Sequence, residues 1–470
     1  MKLYALVQND KFHSCQQPSK YKKLLFSLSW FHALLLERRK FKTLGFNIPY
    51  EFNESDFMIC HDLIIVFLNE YKEKTPFEAL KYLIGEANYG GRVTEDMDRR
   101  LVNVYMDQLF CESAIEQDNF LLSELKEYHI PNDGTLKSYV DYIRKLPYHD
   151  NPKAFGQHPN ADISSQIEDS NDLFSTITSL QSTAIVDGVE TKDDQIQIRI
   201  DMIYEKLPQP FDLERVKSIM EGRMDPGALK SVLYQELMRY NSLISRMSTE
   251  IDDVKKTVLG ETVVTPHIEI IINEMLEHKV PSSWSMTYPS CKPLGPWLRD
   301  LELRIAQMKS WINDGIPPVF WLSGFTYPSG FLTGILQTTA RNHGIAIDNL
   351  SWEFFVLDKK REEITEGPKE GVYMSGIYLE GAKWDNERGS LTEPNVMELS
   401  SPMPIIYFKP IEGKKKGLKN VYSCPLYMYP IRTGSRERPS FVLNVDLESG
   451  DVVPEHWVKR GVALLLSTSD

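Results

Sequence analysis

Gly85 and Gly90, in the stretch GEANYGGRVT, carry the spacing of the phosphate-binding loop G-x-x-x-x-G-K-[ST], whose backbone N–H groups cradle phosphates. The lysine position holds Gly91 and the hydroxyl position holds Arg92, so the phosphate contact and the magnesium ligand are both missing. A phosphate loop also follows a buried strand, whereas Thr75-Pro76-Phe77-Glu78 reads as a capping box with proline at the first helical position. A helix therefore precedes the glycines. Asn88, Gly90 and Gly91 suit a left-handed turn that stops it, and Thr94 suits the cap of the next helix, with Glu95 and Asp96 in its first turn. Those acids would repel a phosphate, and the segment reads as a structural turn.

Other reactive types fare no better. Ser323, in FWLSGF, lacks the glycine two residues upstream that a nucleophile elbow needs, and reads as a serine at a strand end. Cys60 and His61 are neighbours on a predicted helix, about 100° apart, which prevents a nucleophile–base pair; Cys60 is expected in the core and His61 on the surface. His149 and His158, with Asp150 and Asp162, loosely echo metal spacing, but a third ligand at defined spacing is missing and a solvated loop is expected. The most basic run, Glu412-Gly413-Lys414-Lys415-Lys416 followed by Lys419, reads as a charged hairpin tip protecting a sheet edge rather than an anion site.

The elements that hold these residues follow from periodicity. Leu24, Leu25, Leu28, Phe31, Leu34 and Leu35 recur at helical spacing before Glu37-Arg38-Arg39-Lys40 and the breaker Gly45. Further helices are expected near 55–71, 76–87, 94–110 and 135–146, and a loop and linker around one short helix over 147–193. A long helix over 228–259 has Leu233, Leu237, Tyr240, Ile244, Met247, Ile251, Val254 and Val258 in a heptad seam. Because Met238, Leu243 and Leu259 widen that stripe, packing within its own domain is preferred to a coiled coil. Another helix is expected over 296–314, stopped by Gly315. After residue 350, SWEFFVL, GVYMSGIYL, PIIYFKPI, CPLYMYPI and SFVLNVDL read as strands. In the last, Phe441, Leu443, Val445 and Leu447 mark one buried face. The fold class is α+β, helices first and then an antiparallel sheet or small barrel that HWVKRGVALLL closes.

With 42% hydrophobic residues, 470 residues can bury two or three cores, and the net charge of -13 argues against a general nucleic-acid binder. Five cysteines far apart suggest neither a disulfide framework nor a zinc site and favour a reducing cytosol. MKLYALVQNDKF lacks the apolar core of a signal peptide, and apolar runs stay below membrane-spanning length, so a soluble protein with no membrane partner is expected.

Longer segments carry a resemblance. KKLLFSLSWFHALLLERRKFKTLGFNIPYEFNESD and PFEALKYLIGEANYGGRVTEDMDRR resemble the lid of the sixth AAA+ module of dynein heavy chains. YPSCKPLGPWLRDL, PPVFWLSGF, FLTGILQTTARNHGIAID, GVYMSGIYLEGAKWD and PEHWVKRGVALLL resemble the dynein C-terminal domain, and the inner-arm axonemal branch fits best. Met97 and Phe46 stand where the family usually has tryptophan, and both stay apolar.

The resemblance implies a helical lid over 1–150, a linker over 151–195, and a C-terminal domain with a helical half over 196–349 and a β-rich half over 350–470. It implies that the chain begins inside the sixth module, with the nucleotide-binding modules, linker, stalk and microtubule-binding tip upstream and absent. The parent would be an ATP-driven, minus-end-directed microtubule motor of the ciliary axoneme. ATP and magnesium would be held by its upstream modules, and no cofactor or catalytic site is expected in this chain. Implied partners are the other ring modules, intermediate and light chains, and microtubules only through the upstream parts. Arg92 sits near where an active AAA+ lid offers an arginine to phosphate, and the adjacent acids Glu95, Asp96 and Asp98 favour a salt bridge or cap instead. Phe320, Trp321, Phe325 and Trp384 are expected to dock the C-terminal domain on the ring. The alternative is a stand-alone protein that binds a dynein ring or self-associates through the 228–259 helix.

Overall fold

The computed structural model describes residues 15–180, 192–223, 226–413, 420–434 and 439–468, together with Tyr4, Val7 and Phe12. The basic run at 414–419 therefore lies outside the described residues. Helices come first. Pro18 starts α1 (Pro18–Arg38), whose leucine stripe is buried and whose other side buries Tyr21, Phe26 and Trp30 as well. A helix buried on nearly all sides, polar Ser27, Ser29 and His32 included, belongs in the middle of a bundle, and α1 is the central rod of the N-terminal helices.

Around it stand α2 (Glu54–Glu70), α3 (Phe77–Lys81), α4 (Asp96–Leu109) and α5 (Leu136–Lys145). Asn53 and Asp56 form a reciprocal capping box at the start of α2. The expected box at Thr75 does not form. Pro76 occupies the cap position, which has no side-chain hydrogen bond, and the Phe77 N–H donates to the Thr75 carbonyl. The α3 axis continues as a π-helix over Tyr82–Tyr89 and a 3-10 turn over Gly90–Arg92. Gly90 has φ −64° and Asn88 and Gly91 are not left-handed, so the expected left-handed stop is replaced by a tightening right-handed helix. The cap of α4 is Glu95, one residue later than the expected Thr94, because its longer carboxylate reaches the Met97 and Asp98 N–H groups.

The expected short helix over 147–193 is the 21-residue α6 (Asn160–Leu180). It is followed by α7 (Lys192–Lys206), α8 (Gly227–Val258), α9 (Pro266–Leu276), α10 (Leu294–Asp314) and α11 (Pro328–His343). The heptad seam of α8 is buried from Leu233 to Val254 against α7, α9, α10 and α11. Leu243 joins it, but Met238 and Leu259 are exposed and do not widen it. Gly315, at φ 97°, ends α10 as expected.

The β-rich part is three sheets and no closed barrel. β1 (Val319–Trp321), β3 (Val372–Ser375), β8 (Ile405–Glu412) and β2 (Leu350–Leu357) form one in that order. The second runs β10 (Phe441–Glu448), β9 (Val421–Tyr427), β11 (Ala463–Leu465), β4 (Tyr378–Glu380), β7 (Ser400–Pro402). β5 (Lys383–Asp385) and β6 (Ser390–Thr392) make a separate two-stranded ladder. Pairing is antiparallel except β1 with β3 and β11 with β9. In β10, Val445 and Leu447 are buried, but a register shift between Phe441 and Leu443 breaks the alternation and leaves Phe441 exposed. The turn into β11 comes from α12 (Pro454–Arg460), which ends at Gly461 with φ 70°. Among the described residues no helix is long and apolar enough to cross a membrane.

Candidate functional site

A polar joint lies where the N-terminal helices meet the β-rich part. Arg38 ends α1 and is 0% exposed. Its Nε donates to the Gly45 carbonyl at 2.8 Å, Nη1 to Tyr105 Oη at 2.6 Å and the Phe155 carbonyl at 2.9 Å, and Nη2 to the carbonyls of Leu44 at 3.2 Å and Lys459 at 2.6 Å. Every guanidinium N–H is thereby used. These partners belong to the short helical turn Lys42–Gly45 after α1, to α4, to the segment before α6, and to α12 at the far end of the sequence. Burial pulls the guanidinium below its ordinary pKa range, and the Tyr105 hydroxyl opposes that shift.

Other links run beside it. The Leu44 carbonyl also accepts from Gln157 Nε2 at 2.5 Å. A Cβ on Gly461 would lie 2.4 Å from that carbonyl, so only glycine allows α12 to approach so closely. Asn47 Nδ2 donates to Tyr427 Oη at 3.0 Å, and Arg100 donates to the Ser423 carbonyl at 2.9 Å with its guanidinium 4.9 Å from the Tyr422 ring centre. Asn160, at the start of α6, donates to the carbonyls of Asn395 and Glu398, and its Oδ1 accepts from the Met397 N–H. Arg432 ties the Gly461 carbonyl to Glu380. The void left among these groups is only about 30 Å3, room for a water and no ligand. Chemically the joint is a clamp.

The lid turn is also structural in geometry. Arg92 Nε lies 2.9 Å from the buried carboxylate of Asp56, the same residue that caps α2. Glu95 is occupied as the α4 cap, and Asp98 accepts from the Asn47 and Ile48 N–H groups. Burial raises Asp98 to about 6, against the pull of those backbone bonds. Gly90 is fixed by space, since a Cβ there would meet the Gly85 carbonyl at 2.5 Å; Gly91 has open space.

Of the four aromatics, Phe320 and Phe325 are 2% and 1% exposed, in a cluster with Trp311 and Phe331. Trp321 is half-buried, its backbone N–H donating to Gln307 Oε1 at 2.8 Å and its ring 5.4 Å from the Arg304 guanidinium. Trp384 is half-buried on β5, opposite Leu391. Only the two tryptophans present surface, and they stand on different sheets.

Ser323 follows β1 and donates to the Leu466 carbonyl. Cys60 is buried, as expected, and burial pushes its thiol up to about 12. His61, expected on the surface, is 0% exposed because its Nε2 is 2.7 Å from the buried Tyr21 Oη and its Nδ1 2.9 Å from Asp62. The loop residues are not brought together: His149 meets Tyr148 edge to face, Asp150 pairs with Lys40, and His158 Nδ1 accepts from the Asn160 N–H. Among the described residues there is no group of three or more His, Cys, Asp or Glu that could hold a metal ion.

Two family models divide the protein at this joint. The AAA lid domain of dynein heavy chains matches residues 21–161, and the C-terminal domain of dynein heavy chains matches residues 167–466. This chain belongs to the dynein heavy-chain family. It is 50% identical over 471 residues to the dynein-1-beta heavy chain, flagellar inner arm I1 complex, of Chlamydomonas reinhardtii, covering 99% of this chain and 10% of that protein. It is 46% identical over 469 residues to dynein axonemal heavy chain 2 of Homo sapiens, with the same shares. The mouse dynein axonemal heavy chain 1 is 38% identical over 470 residues, 99% of this chain and 11% of that protein. The chain thus spans about a tenth of the length of these dynein relatives. The Arg38 clamp joins what the family treats as two domains, and sequence reasoning missed it: an arginine inside Glu37-Arg38-Arg39-Lys40 looks like a solvated helix end.

Proposed function

We propose that this chain is the C-terminal, non-catalytic part of an axonemal dynein heavy chain, and that it closes the AAA+ ring and transmits movement between modules. The parent is then an ATP-driven, minus-end-directed microtubule motor of cilia, working in the axoneme with its ring modules and its intermediate and light chains. ATP and magnesium belong to the upstream modules. The observation that carries this reading is the Arg38 clamp: a buried charge that bonds lid, linker and α12 makes lid and C-terminal domain move as one piece. A lid that tilts during the ATP cycle then carries the C-terminal domain with it. Trp321 and Trp384 are the members of the aromatic set left to touch the ring, with Phe320 and Phe325 supporting Trp321 from the core. In domain terms, residues 1–150 act as the lid, 151–195 as the linker, and 196–349 and 350–470 as the two halves of the C-terminal domain.

An immunoblot of ciliary and cytosolic extracts with an antibody to residues 411–440 tests this reading. A ciliary band many times larger than 54.2 kDa supports it. A discrete band near 54.2 kDa contradicts it and favours the stand-alone binding protein. The purified protein is expected not to turn over ATP with magnesium, since Gly91 and Arg92 replace the groups a phosphate loop needs.

A further inference from the structure

The loop between β6 and β7 holds a residue type that its backbone does not favour. The Glu398 N–H donates to the Asn395 carbonyl at 3.1 Å, and Met397 has φ 71° while Val396 is not left-handed. That is a type II turn, whose third position normally takes glycine or asparagine because other side chains are strained there. Four other non-glycine residues have positive φ among the described residues. Asn119 and Asn420 are of a type that tolerates it. Lys42 and His278 use their side chains, on Asp169 at 2.9 Å and Arg199 at 3.1 Å. The Met397 side chain is 76% exposed and Val396 beside it 64%, so no packing among the described residues offsets the strain.

The turn is nevertheless held hard. Buried Asn160, at the start of α6, donates to the Asn395 and Glu398 carbonyls and accepts from the Met397 N–H, each at 2.9 Å. The Glu398 carboxylate accepts from Asn395 Nδ2 and from Ser401 Oγ, both at 2.7 Å. A strained residue persists only where its surroundings over-determine it, and such residues collect at functional sites. Here the surroundings fix two large apolar side chains on a rigid turn in water. Side chains held in place beforehand lose little entropy on docking.

We propose that Val396 and Met397 anchor this chain in an apolar pocket on the upstream part of the parent heavy chain. The inference rests on the parent reading above: the chain spans about a tenth of the length of its dynein relatives, so most of the surface within its reach belongs to the same polypeptide. The pocket takes one valine and one methionine side chain, and the unbranched thioether adapts to an irregular wall. Asn160 lies in the segment that the lid model matches, so the anchor is fixed from the lid as well as from the β-rich part.

The test is oxidation of Met397 to its sulfoxide by hydrogen peroxide, read by mass spectrometry against the peptide Ac-Asn-Val-Met-Glu-NH2 in the same tube. In this chain alone Met397 should oxidise within about twofold of the peptide. In the intact motor it should oxidise at least about tenfold more slowly, and photo-methionine at that position should cross-link to the heavy chain itself. Val396→Ser in the motor should restore most of the rate and leave the urea midpoint of this chain unchanged. Met397→Gly should raise that midpoint, because it removes strain and no packing. The inference is overturned if Met397 oxidises as fast in the motor as in this chain, if the cross-link falls on another subunit, or if Met397→Gly lowers the midpoint. A discrete 54.2 kDa band on the immunoblot defeats the parent reading, whereas an unprotected Met397 in an existing motor defeats this inference alone.

Discussion

Arg38 and Lys459, 421 positions apart, are joined by a 2.6 Å hydrogen bond from a buried guanidinium to a backbone carbonyl in the last turn of α12. A cation near a helix C-terminus is favourable in itself, and here the same group also holds four other oxygens. Arg38→Met would take the guanidinium from all of them; the Leu44 carbonyl keeps Gln157 and the Phe155 carbonyl keeps the Tyr105 hydroxyl, but the Gly45 and Lys459 carbonyls lose their side-chain donor inside the joint. The expected loss is at least about 3 kcal/mol, read from urea unfolding of the protein. A loss within experimental scatter would mean that the clamp holds nothing that other contacts do not.

Gly461 tests the same seam by space alone. Its φ of 70° strains any other residue, and its Cβ would meet the Leu44 carbonyl at 2.4 Å. Gly461→Ala is expected to cost roughly 1–3 kcal/mol and to speed amide exchange in α12 and residues 42–47 before the rest of the molecule. Uniform acceleration everywhere would argue against a local seam.

The lid contains two titrations of opposite sign. His32, bonded through Nδ1 to Tyr89 Oη at 2.8 Å, is held by burial at about 4, so its stabilisation is present above the ordinary histidine pKa and is lost as pH falls from about 6.5 to 4. Asp98, raised to about 6, does the reverse: its contribution is full below the ordinary carboxylate range and is lost as pH rises through about 6. Each is worth about 3 kcal/mol, so they largely cancel between pH 4 and 6. Urea midpoints of Asp98→Asn should fall steeply on acidification over that window, and those of His32→Phe should fall as pH rises. Parallel pH profiles for the two variants would refute the assignment.

Because the α8 seam is filled by α7, α9, α10 and α11, sedimentation of the protein should give 54.2 kDa at all concentrations. Leu237→Asp, at a position 0% exposed, should unfold the helical half rather than dissociate a dimer. A mass that doubles with concentration and halves in that variant would restore the coiled-coil alternative.

What could be read beforehand follows from the range of the forces involved. The helices of the lid and α8 and α10 were legible because a 3.6-residue apolar period is local information, and Gly315 marks its stop in the same local way. Caps slipped by a residue because Thr94 and Glu95 can both accept from the first turn, and only tertiary contacts choose between them. The barrel did not form because closure depends on pairing between distant strands; β1 with β3 and β11 with β9 run parallel, which no strand pattern reveals. His61 was misread and Arg38 passed over for a common reason: a polar residue beside other polar residues looks solvated until its buried partners, Tyr21 and the clamp carbonyls, are known. The aromatic segment was recognised as unusual, but its split into core Phe320 and Phe325 and half-buried Trp321 needs the sheet on which they lie.

The central claim is that lid and C-terminal domain are locked into one moving part. It is tested most directly by placing Arg38→Met in the parent heavy chain and measuring microtubule gliding and microtubule-stimulated ATP turnover on the same preparation. The account predicts that ATP turnover persists while gliding velocity falls several-fold, because hydrolysis upstream no longer moves the C-terminal domain with the lid. Unchanged velocity in a motor that carries the substitution would contradict it.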